Sequence, residues 1–559
     1  MLFGNDVLLI SKRGILSRIG VAATFGFAFS TSSFAFEIRT DSDLKIRWDN
    51  TFKYSAAWRV KDRSQLLLSD PTLDDGDRAF KKGMISNRLD WLTELDASYQ
   101  NFGARLSAAA WYDDVYNKTN DNDSRLTANA VSVPYNQFTH ETRDLHGRKA
   151  ELLDAFVYGK FAAGDTRTTA RLGKHSFLYG ESLFFGSNGI AAGMAPFDVI
   201  KAQSVPNTQV KELLRPIQQV SFQSQLDSNW SVGGYYQTKW EAHRLPGVDS
   251  YFGFNDLVGA GGERIIAGFV PGLGPVASFY RSDDINAKNS GQGGLQLRFR
   301  PDGGNVDYGF YAIRYHDKAP QVYVRPGTGV GAGSPADMIG TYGLVYPENI
   351  SAAGASFSTT LGTANVAGEI SFRSNAPLVS HTGVVLPVPG FLADNDDNPL
   401  YAVGRTAHAQ ASMINVLDKN ALWESATFVG EIAWNRTLSI TKNPLAIDPN
   451  TTRDAWGVRF ILEPSYYQVL DGLDIGIPIG VGYTPSGRSS AVGGFGAEHG
   501  GDVSVGINGE YLKTWKVSAN FTHYYGKERL LSNTATDVRY FGQMLKDRDF
   551  ISLSITRSF

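Results

Sequence analysis

The chain has 559 residues, a formal net charge of −3 and no cysteine, so it can form neither disulfides nor thiolate metal sites. The near balance of 53 basic and 56 acidic residues excludes the strongly basic surface that nucleic-acid binding needs. A length of 559 residues would ordinarily suggest several soluble domains, but the hydrophobic pattern predicts a single large one.

The first 35 residues are typical of a secretory signal peptide. Basic residues precede an apolar run at 19–29, and the small residues Ser33 and Ala35 stand where a signal peptidase reads. The alternative is a short anchor helix, but the run is shorter than the roughly 20 residues that a membrane-spanning helix needs. We therefore expect cleavage after Ala35 and a mature chain of residues 36–559.

Strict alternation begins at residue 44. In "DLKIRWDNTFKYSAAWRV" the even positions are mostly apolar or aromatic, such as Trp48 and Trp58, and the odd positions include the charges of Arg47 and Lys53. Period two predicts a β-strand, and the run is longer than soluble strands usually are. A charge on the lipid face of a barrel costs about 2–4 kcal/mol at the membrane midplane. We therefore predict that the even face contacts lipid.

The same alternation returns along the chain as hairpins. The strand in "LDWLTELDASY" is followed by the turn "QNFG" and by the returning strand "ARLSAAAWYD". Gly, Asp and Asn, which tight turns favour, mark most of the other connections. These are "AAGD" (162–165), "DSN" (227–229), "PDGG" (301–304), "TLGT" (360–363), "LDKN" (417–420), "QVLDG" (468–472) and "LKTW" (512–515).

Long polar or glycine-rich segments separate the hairpins. They lie at about 61–85, 114–149, 176–215, 241–292, 317–349, 375–403, 437–453, 484–501 and 527–546. Short turns that alternate with long loops are typical of outer-membrane barrels, in which the short turns are periplasmic. We predict an all-β, transmembrane antiparallel barrel of about 18 strands as one domain over 36–559; the alternative is a secreted β-sandwich. The facing of "AELLDAFVYGKF" stays open, since either Leu152, Phe156 and Tyr158 or Leu153, Ala155 and Val157 fit the lipid side.

The terminal segment "FISLSITRSF" alternates apolar and hydroxyl residues and ends on Phe559. Lipid would cover its apolar side, and its edge would pair with strand 44–60, because an open edge in hydrocarbon leaves backbone groups unpaired. Terminal Phe559 resembles the assembly signal read by the barrel-assembly machinery. We expect a protein of the Gram-negative outer membrane, in contact with its lipid and lipopolysaccharide.

Several segments resemble the domain-of-unknown-function family numbered 1302, uncharacterised outer-membrane barrels of proteobacteria. They are "ARLGKHSFLYGES" (170–182), "YGLVYPENISAAGASFSTTLGTANVAGEISFRSNAPL" (342–378), "YAVGRTAHAQ" (401–410) and "DRDFISLSITRSF" (547–559). The resemblance implies traffic of a hydrophobic or lipid-like molecule, with an RND-type exporter and a periplasmic lipid-carrier protein as partners. It implies no catalytic residues and no cofactor.

Alternation places charges of both signs on the inner face of the wall. The lumen-lining candidates are Arg47, Lys53, Glu94, Asp96, Arg167, Arg171, Glu369, Arg373, Glu431, Arg459, Glu463 and Glu510. A wall with both signs can select polar solutes. The alternative is that these charges pair across the lumen and stiffen the wall.

Loop 176–215 is unusually apolar for an outer loop. Its constriction candidates are Phe177, Tyr179, Glu181, Phe184, Phe185, Met194 and Phe197. So many large apolar side chains are costly to leave in water. We expect the loop either to fold into the lumen as a constriction or substrate contact, or to pack against neighbouring loops as an inert lid.

Other sites are weakly indicated. In "YNKTNDNDSR", Asp121 and Asp123 with nearby asparagines could offer oxygen ligands for calcium, but the full spacing of a calcium loop is absent, and a solvated polar loop is the favoured interpretation. We predict no metal site. The sequence has no G-x-S-x-G, H-E-x-x-H or P-loop motif, so we expect no enzyme, although a Ser–His pair across strands would leave no such motif.

Two functions follow. The first is an outer-membrane channel for small or apolar solutes, narrowed by loop 176–215. The second is a non-conducting component of a lipid or hydrophobic-molecule transport system that works with an inner-membrane exporter. An energised receptor is not expected, because only eight residues lie between Ala35 and Leu44, too few for a plug domain.

Overall fold

A computed structural model describes residues 36–38, 43–206, 208, 210–388, 390–533 and 536–559. The predicted signal peptide, 1–35, lies outside the described residues. The main sheet closes on itself as a barrel of 18 antiparallel strands, which confirms the predicted fold class and strand count. In the described part of the chain, every helix is too short or too polar to cross a membrane.

The barrel strands are numbered in chain order. They are β1 Leu44–Arg59, β2 Gly83–Tyr99, β3 Phe102–Asp113, β4 Arg148–Ala163, β5 Thr166–His175, β6 Ile217–Gln225, β7 Trp230–Gln237, β8 Gln292–Phe299, β9 Val306–Tyr315, β10 Ile350–Leu361, β11 Ala364–Pro377, β12 Val403–Leu417, β13 Ser425–Lys442, β14 Asp454–Leu470, β15 in two segments Leu473–Gly476 and Ile479–Ser486, β16 Gly501–Tyr511, β17 Trp515–Tyr525 and β18 Phe550–Ser558. The interruption of β15 includes Pro478, which has no N–H to donate to a ladder.

The first and last strands close the barrel. Strand β18 pairs with β1 from Thr51 to Arg59, and Phe559 and Asn50 exchange backbone hydrogen bonds of 2.8 and 3.1 Å. Below that point the short strand Phe36–Ile38 continues the ladder along the same edge of β1. The edge of β1 is therefore paired well beyond the end of β18, as a strand in hydrocarbon requires.

The predicted alternation of faces is present on β1. Trp48 and Tyr54 point outward, with 45% and 46% of their surface exposed, whereas Ser55 and Arg59 are each 1% exposed. Exposed aromatic and aliphatic side chains recur on the outer face of the other strands, where lipid covers them.

Strand β4 fits neither of the two predicted facings, because it contains a β-bulge. Ala108 pairs with Leu152 and Leu106 pairs with Ala155, so two residues of β4 lie opposite Ser107. The extra residue reverses the alternation. Consequently Leu152 and Val157 are exposed, while Leu153 is buried, and Phe156 and Tyr158 line the interior cavity.

Short turns at one end of the barrel and long loops at the other alternate as predicted. The observed loop boundaries mostly differ from the predicted ones by a few residues. Loop strands Arg264–Val270, Gly274–Arg281, Gln321–Pro326, Met338–Val345 and Val384–Val385 form a separate five-stranded sheet, and Ser532–Asn533 pairs with Val538–Arg539. The described parts of the loops also carry four short α-helices, Asp75–Arg78, His140–Thr142, Val199–Ser204 and Val210–Leu213, one π turn, Arg143–Gly147, and three 3₁₀ turns, Val115–Asn117, Ile190–Gly193 and Pro444–Ala446.

A buried ion network joins the loops above the barrel. Arg59, at the upper end of β1, pairs with Asp77 at 2.8 Å and with Asp547 at 2.7 Å, and Arg548 pairs with Asp77 at 3.0 Å. Tyr251 packs against both arginines. Charges this deeply buried persist only when they are paired. The network therefore ties loops 60–82, 238–291 and 526–549 together.

Candidate functional site: a loop folded into the barrel

Loop 176–215 leaves β5 and returns at β6, whose facing ends, His175 and Ile217, are paired residues. Although its ends are adjacent, the loop crosses to the opposite wall, where it contacts β11, β12 and β13. It also reaches deep into the barrel: Glu369, which it contacts, is the sixth of the 14 residues of β11, counted from the periplasmic end.

The Glu369 carboxylate holds one part of this loop. The backbone N–H groups of Glu181 and Ile190 donate to it at 2.9 and 2.6 Å. Gly180 lets the chain approach, because it has a φ of +93° and a Cβ there would lie 2.3 Å from the carboxylate. A buried charge on the wall is thereby satisfied by the loop backbone.

The Glu431 carboxylate on β13 holds the next turn. It accepts backbone hydrogen bonds from Leu183 at 3.1 Å, from Phe185 at 2.8 Å and from Phe184 between them. Three consecutive N–H groups aimed at one carboxylate form an anion-binding concavity in the loop backbone.

Arg373 and Asn188 complete this contact. The Arg373 guanidinium donates to the carbonyls of Ser187, Asn188 and Gly189, each at 2.9 Å. The Asn188 amide donates to the carbonyls of Ala409 and Trp434, and its oxygen lies 3.1 Å from the His408 ring. Asn188 was not predicted, because nothing in the sequence distinguishes it from other loop asparagines.

The second half of the loop lies against β1 and β2. Lys53 Nζ donates to the Pro206 carbonyl at 3.3 Å. Lys211 pairs with Glu94, which also binds Arg105. Arg105 reaches Asp96 at 3.1 Å as well. Wall charges therefore anchor both halves of the loop.

The aromatic residues of the loop pack mainly on the wall. The Tyr179 ring stacks on Tyr311 of β9 with centroids 5.7 Å apart, and Phe177 lies 6.1 Å from Tyr235 of β7. Met194 is 1% exposed, and its sulfur accepts the Tyr179 N–H at 3.1 Å. These side chains are therefore buried against the inner wall of the barrel.

The segment that Glu431 binds is anchored by apolar contacts too. Phe184 packs with Ile414, Val429 and Ile461 of β12, β13 and β14. The neighbouring Phe185 ring lies 5.5 Å from Phe495, which belongs to loop 487–500. Carboxylate and apolar contacts thus act on the same turn of the loop.

Two residues from other loops hold the middle of loop 176–215. Lys318 Nζ donates to the Gly193 carbonyl at 2.8 Å, and burial lowers the pKa of Lys318 to about 8. The His243 ring accepts the Phe197 N–H at 2.9 Å. Burial, with Lys318 and Arg215 nearby, lowers the pKa of His243 to about 3, so its imidazole is neutral. No sequence signal links either residue to the loop.

A cavity of about 3850 Å³ remains inside the barrel beside the loop. Ten of the predicted residues line it: Arg47, Asp96, Arg167, Arg171, Arg373, Phe177, Tyr179, Glu181, Phe184 and Phe197. Lys53, Glu94, Glu369 and Glu431 are instead covered by the contacts described above.

The remaining predicted wall charges lie apart from the loop anchors. Arg459 forms a bidentate pair with Asp502 at 2.9 and 3.0 Å, and Glu463 accepts from Asn508 at 3.1 Å. Glu510 lies 3.9 Å from Lys513, near the periplasmic end of β16. These pairs join positions close together on one side of the barrel and do not cross the lumen.

The calcium candidates of loop 114–147 already have protein partners. Asp123 pairs with Arg63 at 2.6 Å and Arg78 at 3.1 Å, and Asp121 accepts the Lys81 N–H at 3.1 Å.

A different acidic group, Asp74, Asp75 and Asp256, brings three buried carboxylates within 4.8 Å of one another. Burial raises the pKa of Asp74 to about 7 and the pKa of Asp75 and Asp256 well above the ordinary range. Asp74 binds Arg78, and Asp256 accepts the N–H groups of Asp74 and Asp75. These bonds satisfy much of the group without an ion.

Several solved structures are similar to this chain at low sequence identity. OccAB1 of Acinetobacter baumannii is 11% identical, with a TM-score of 0.43 over 94% of this chain and 98% of that one. The outer membrane channel DcaP of the same organism is 8% identical, with a TM-score of 0.38 over 93% and 99%. OpdK of Pseudomonas aeruginosa, solved with vanillate, is 8% identical, with a TM-score of 0.39 over 92% and 98%. No curated protein matches the sequence.

A family profile gives the assignment. The family described as "Protein of unknown function (DUF1302)" matches residues 16–559, nearly the whole chain. Together with the closed 18-stranded barrel, this match means that the chain is an outer-membrane β-barrel that belongs to the DUF1302 family.

Proposed function

We propose that this barrel is an outer-membrane channel for small or apolar solutes and that loop 176–215 narrows it. The observation that carries the proposal is the attachment of the loop to buried carboxylates deep in the barrel, Glu369 and Glu431. Hydrogen bonds to charged groups contribute about 1.5–3 kcal/mol each, so five of them hold the loop firmly.

The space beside the loop supports a passage. A barrel of about 18 strands is wide enough for an aqueous lumen, and about 3850 Å³ is left beside the loop. Because the loop is bound to several strands, the remaining opening keeps a fixed size. A fixed opening selects solutes by size and by the groups that line it.

Liposome swelling with purified protein tests this function. Uncharged sugars of graded size should enter the liposomes up to a size cut-off, and shortening loop 176–215 should raise that cut-off. His175 and Ile217 are paired, so a short Asn-Gly turn can join β5 to β6 directly. Swelling rates equal to those of empty liposomes for both proteins would refute a channel.

One observation favours a second candidate, a non-conducting component that transfers a lipid-like molecule with an inner-membrane exporter. Phe177, Leu178 and Phe197 present apolar surface to the cavity. A bound apolar molecule would cover them. This candidate predicts saturable binding of a fluorescent fatty-acid probe by a barrel that shows no swelling, whereas the channel predicts swelling at graded rates.

A further inference from the structure

Four neighbouring strands of the barrel, β5 to β8, contain no aspartate or glutamate. We call them the acid-free wall. Three arginines of this wall, Arg167, Arg171 and Arg298, line the cavity, and Lys160 lines it from the adjoining β4. All acidic charge must therefore reach this side of the lumen from other elements.

The far side of the barrel is different. Strands β13 to β16 carry the carboxylates of Glu431, Glu463, Asp502 and Glu510, and Arg459 is bound to Asp502. Charges of one sign on one wall and of mixed sign on the other set up a field across the lumen. An anion inside the barrel is drawn toward the acid-free wall.

The three arginines differ in the side chains that they contact. Arg298 lies 3.5 Å from Glu181 of the loop, and Arg171 lies over the Phe156 ring at 5.8 Å. Arg167 has no ion pair with any residue that the structure describes. Arg167 and Arg171 face the same way on one strand, four residues or about 13 Å apart. They offer two successive binding sites for an anion along the wall.

Apolar surface adjoins these cations. Phe177 and Leu178 of loop 176–215 line the cavity, and the Phe177 ring lies 6.1 Å from Tyr235 on β7 of the acid-free wall. Phe156 and Tyr158 line it beside Arg171. A solute that moves along this wall meets aromatic rings and guanidinium groups together.

We propose that the solutes of this channel are organic anions with an apolar body, such as medium-chain or aromatic carboxylates, and that they move along the acid-free wall. The inference rests on the proposed channel function and specifies its substrate class. The carboxylate binds Arg171 and then Arg167, and the apolar body slides over the rings beside them.

Ion selectivity in planar bilayers tests the inference. Reversal potentials in a potassium chloride gradient report anion over cation preference, and exchange of chloride for hexanoate reports entry of the organic anion. Hexanamide and hexylammonium serve as neutral and cationic probes of the same body. The variants are Arg167→Gln and Arg171→Gln, with Arg171→Lys to retain the charge. Lys516→Gln is the matched control, because it removes one positive charge from β17, which is not part of the acid-free wall.

The expected result is a chloride preference of about threefold or more, because arginine and lysine side chains that line a pore favour anions. Hexanoate should carry current or reduce the chloride current at millimolar concentration, and its amide and amine should not. Each Arg→Gln variant should lower the anion preference by at least half, while Arg171→Lys and Lys516→Gln keep it. A conducting protein with no anion preference, or with equal losses in all glutamine variants, would overturn the inference and leave the channel standing. A protein that never conducts, with or without loop 176–215, would overturn both.

Discussion

Glu431 on β13 accepts the backbone N–H of Phe185 at 2.8 Å, although 246 residues separate them in the chain. The same carboxylate binds the two preceding N–H groups, so one wall charge fixes a whole turn of loop 176–215. An unpaired carboxylate at this depth would be costly to bury. Wall and loop therefore depend on each other, and removing the charge should release the loop.

Replacement of Glu431 by glutamine tests that dependence. The amide keeps the size of the side chain but presents an NH₂ group to backbone N–H donors. We expect anchoring to weaken by about 2–3 kcal/mol, which raises the population of the released loop roughly 30- to 150-fold. Single-channel recordings should show larger and noisier current steps.

Glu463→Gln is the matched control for this change. Glu463 lies on the neighbouring strand β14 and accepts from Asn508 rather than from the loop. Its variant should conduct like the wild type. Equal changes in the two variants would mean that lumen charge, and not loop anchoring, sets the current.

The facing of the wall is tested by a pair of arginine substitutions. Ile370 on β11 has 52% of its surface exposed to lipid, so Ile370→Arg should lower stability by about 2–4 kcal/mol in bilayers. Ser358 on the neighbouring β10 lines the cavity opposite Asp307, so Ser358→Arg should be tolerated. Folded fractions after urea titration in lipid vesicles give the comparison. Similar midpoints for the two would contradict the assigned faces.

Acid should loosen the loop at Phe197. The pKa of His243 is lowered to about 3 in the folded protein. Its contribution to the stability of the attached loop is therefore fully present above its ordinary pKa of about 6.5. The contribution falls as pH drops from about 6.5 toward 3, by at most about 1.4 kcal/mol for each pH unit. Protease cleavage within loop 176–215 should accelerate between pH 7 and pH 4.5.

His243→Asn separates this effect from other titrations. Asparagine can still accept the Phe197 N–H but does not titrate, so the part of the pH dependence that is due to His243 should vanish. If the variant and the wild type show the same acceleration at pH 4.5, His243 is not the titrating group.

Terminal Phe559 is predicted to signal assembly. Its backbone pairs with Asn50, and its ring contacts Phe52 and Arg557 at the closure of the barrel. Phe559→Ala should slow assembly in cells several-fold, while refolding in detergent changes little. Phe559→Tyr keeps the aromatic ring and should assemble normally. The heat-modifiable folded band, followed over time, measures both; equal rates for alanine and tyrosine would contradict the signal.

Much of the fold could be predicted because alternation and turn composition are local properties. Trp48, Tyr54 and Ile370 lie on the lipid face to which period two assigns them. The bulge in β4 could not be predicted, because one extra residue reverses the facing of the strand without any change in composition. Alternation also gives the inward facing of Ser371 but not the space around it: it is 1% exposed, between Glu369 and Arg373, both of which bind the loop.

The site was only partly predictable. The residues of loop 176–215 were identified by their apolar character, and Glu369 and Glu431 by their inward position. Their mutual contacts depend on the path of the loop across the lumen, which no local pattern encodes. His243 and Lys318 come from separate loops and were missed for the same reason.

The most direct measurement of the central claim is single-channel current in planar bilayers, for the mature protein and for a variant in which a short turn replaces loop 176–215. We expect steady, small conductance steps for the wild type and steps several-fold larger for the variant. Identical conductance in the two would contradict a constriction by this loop. Silence in both would contradict a channel altogether.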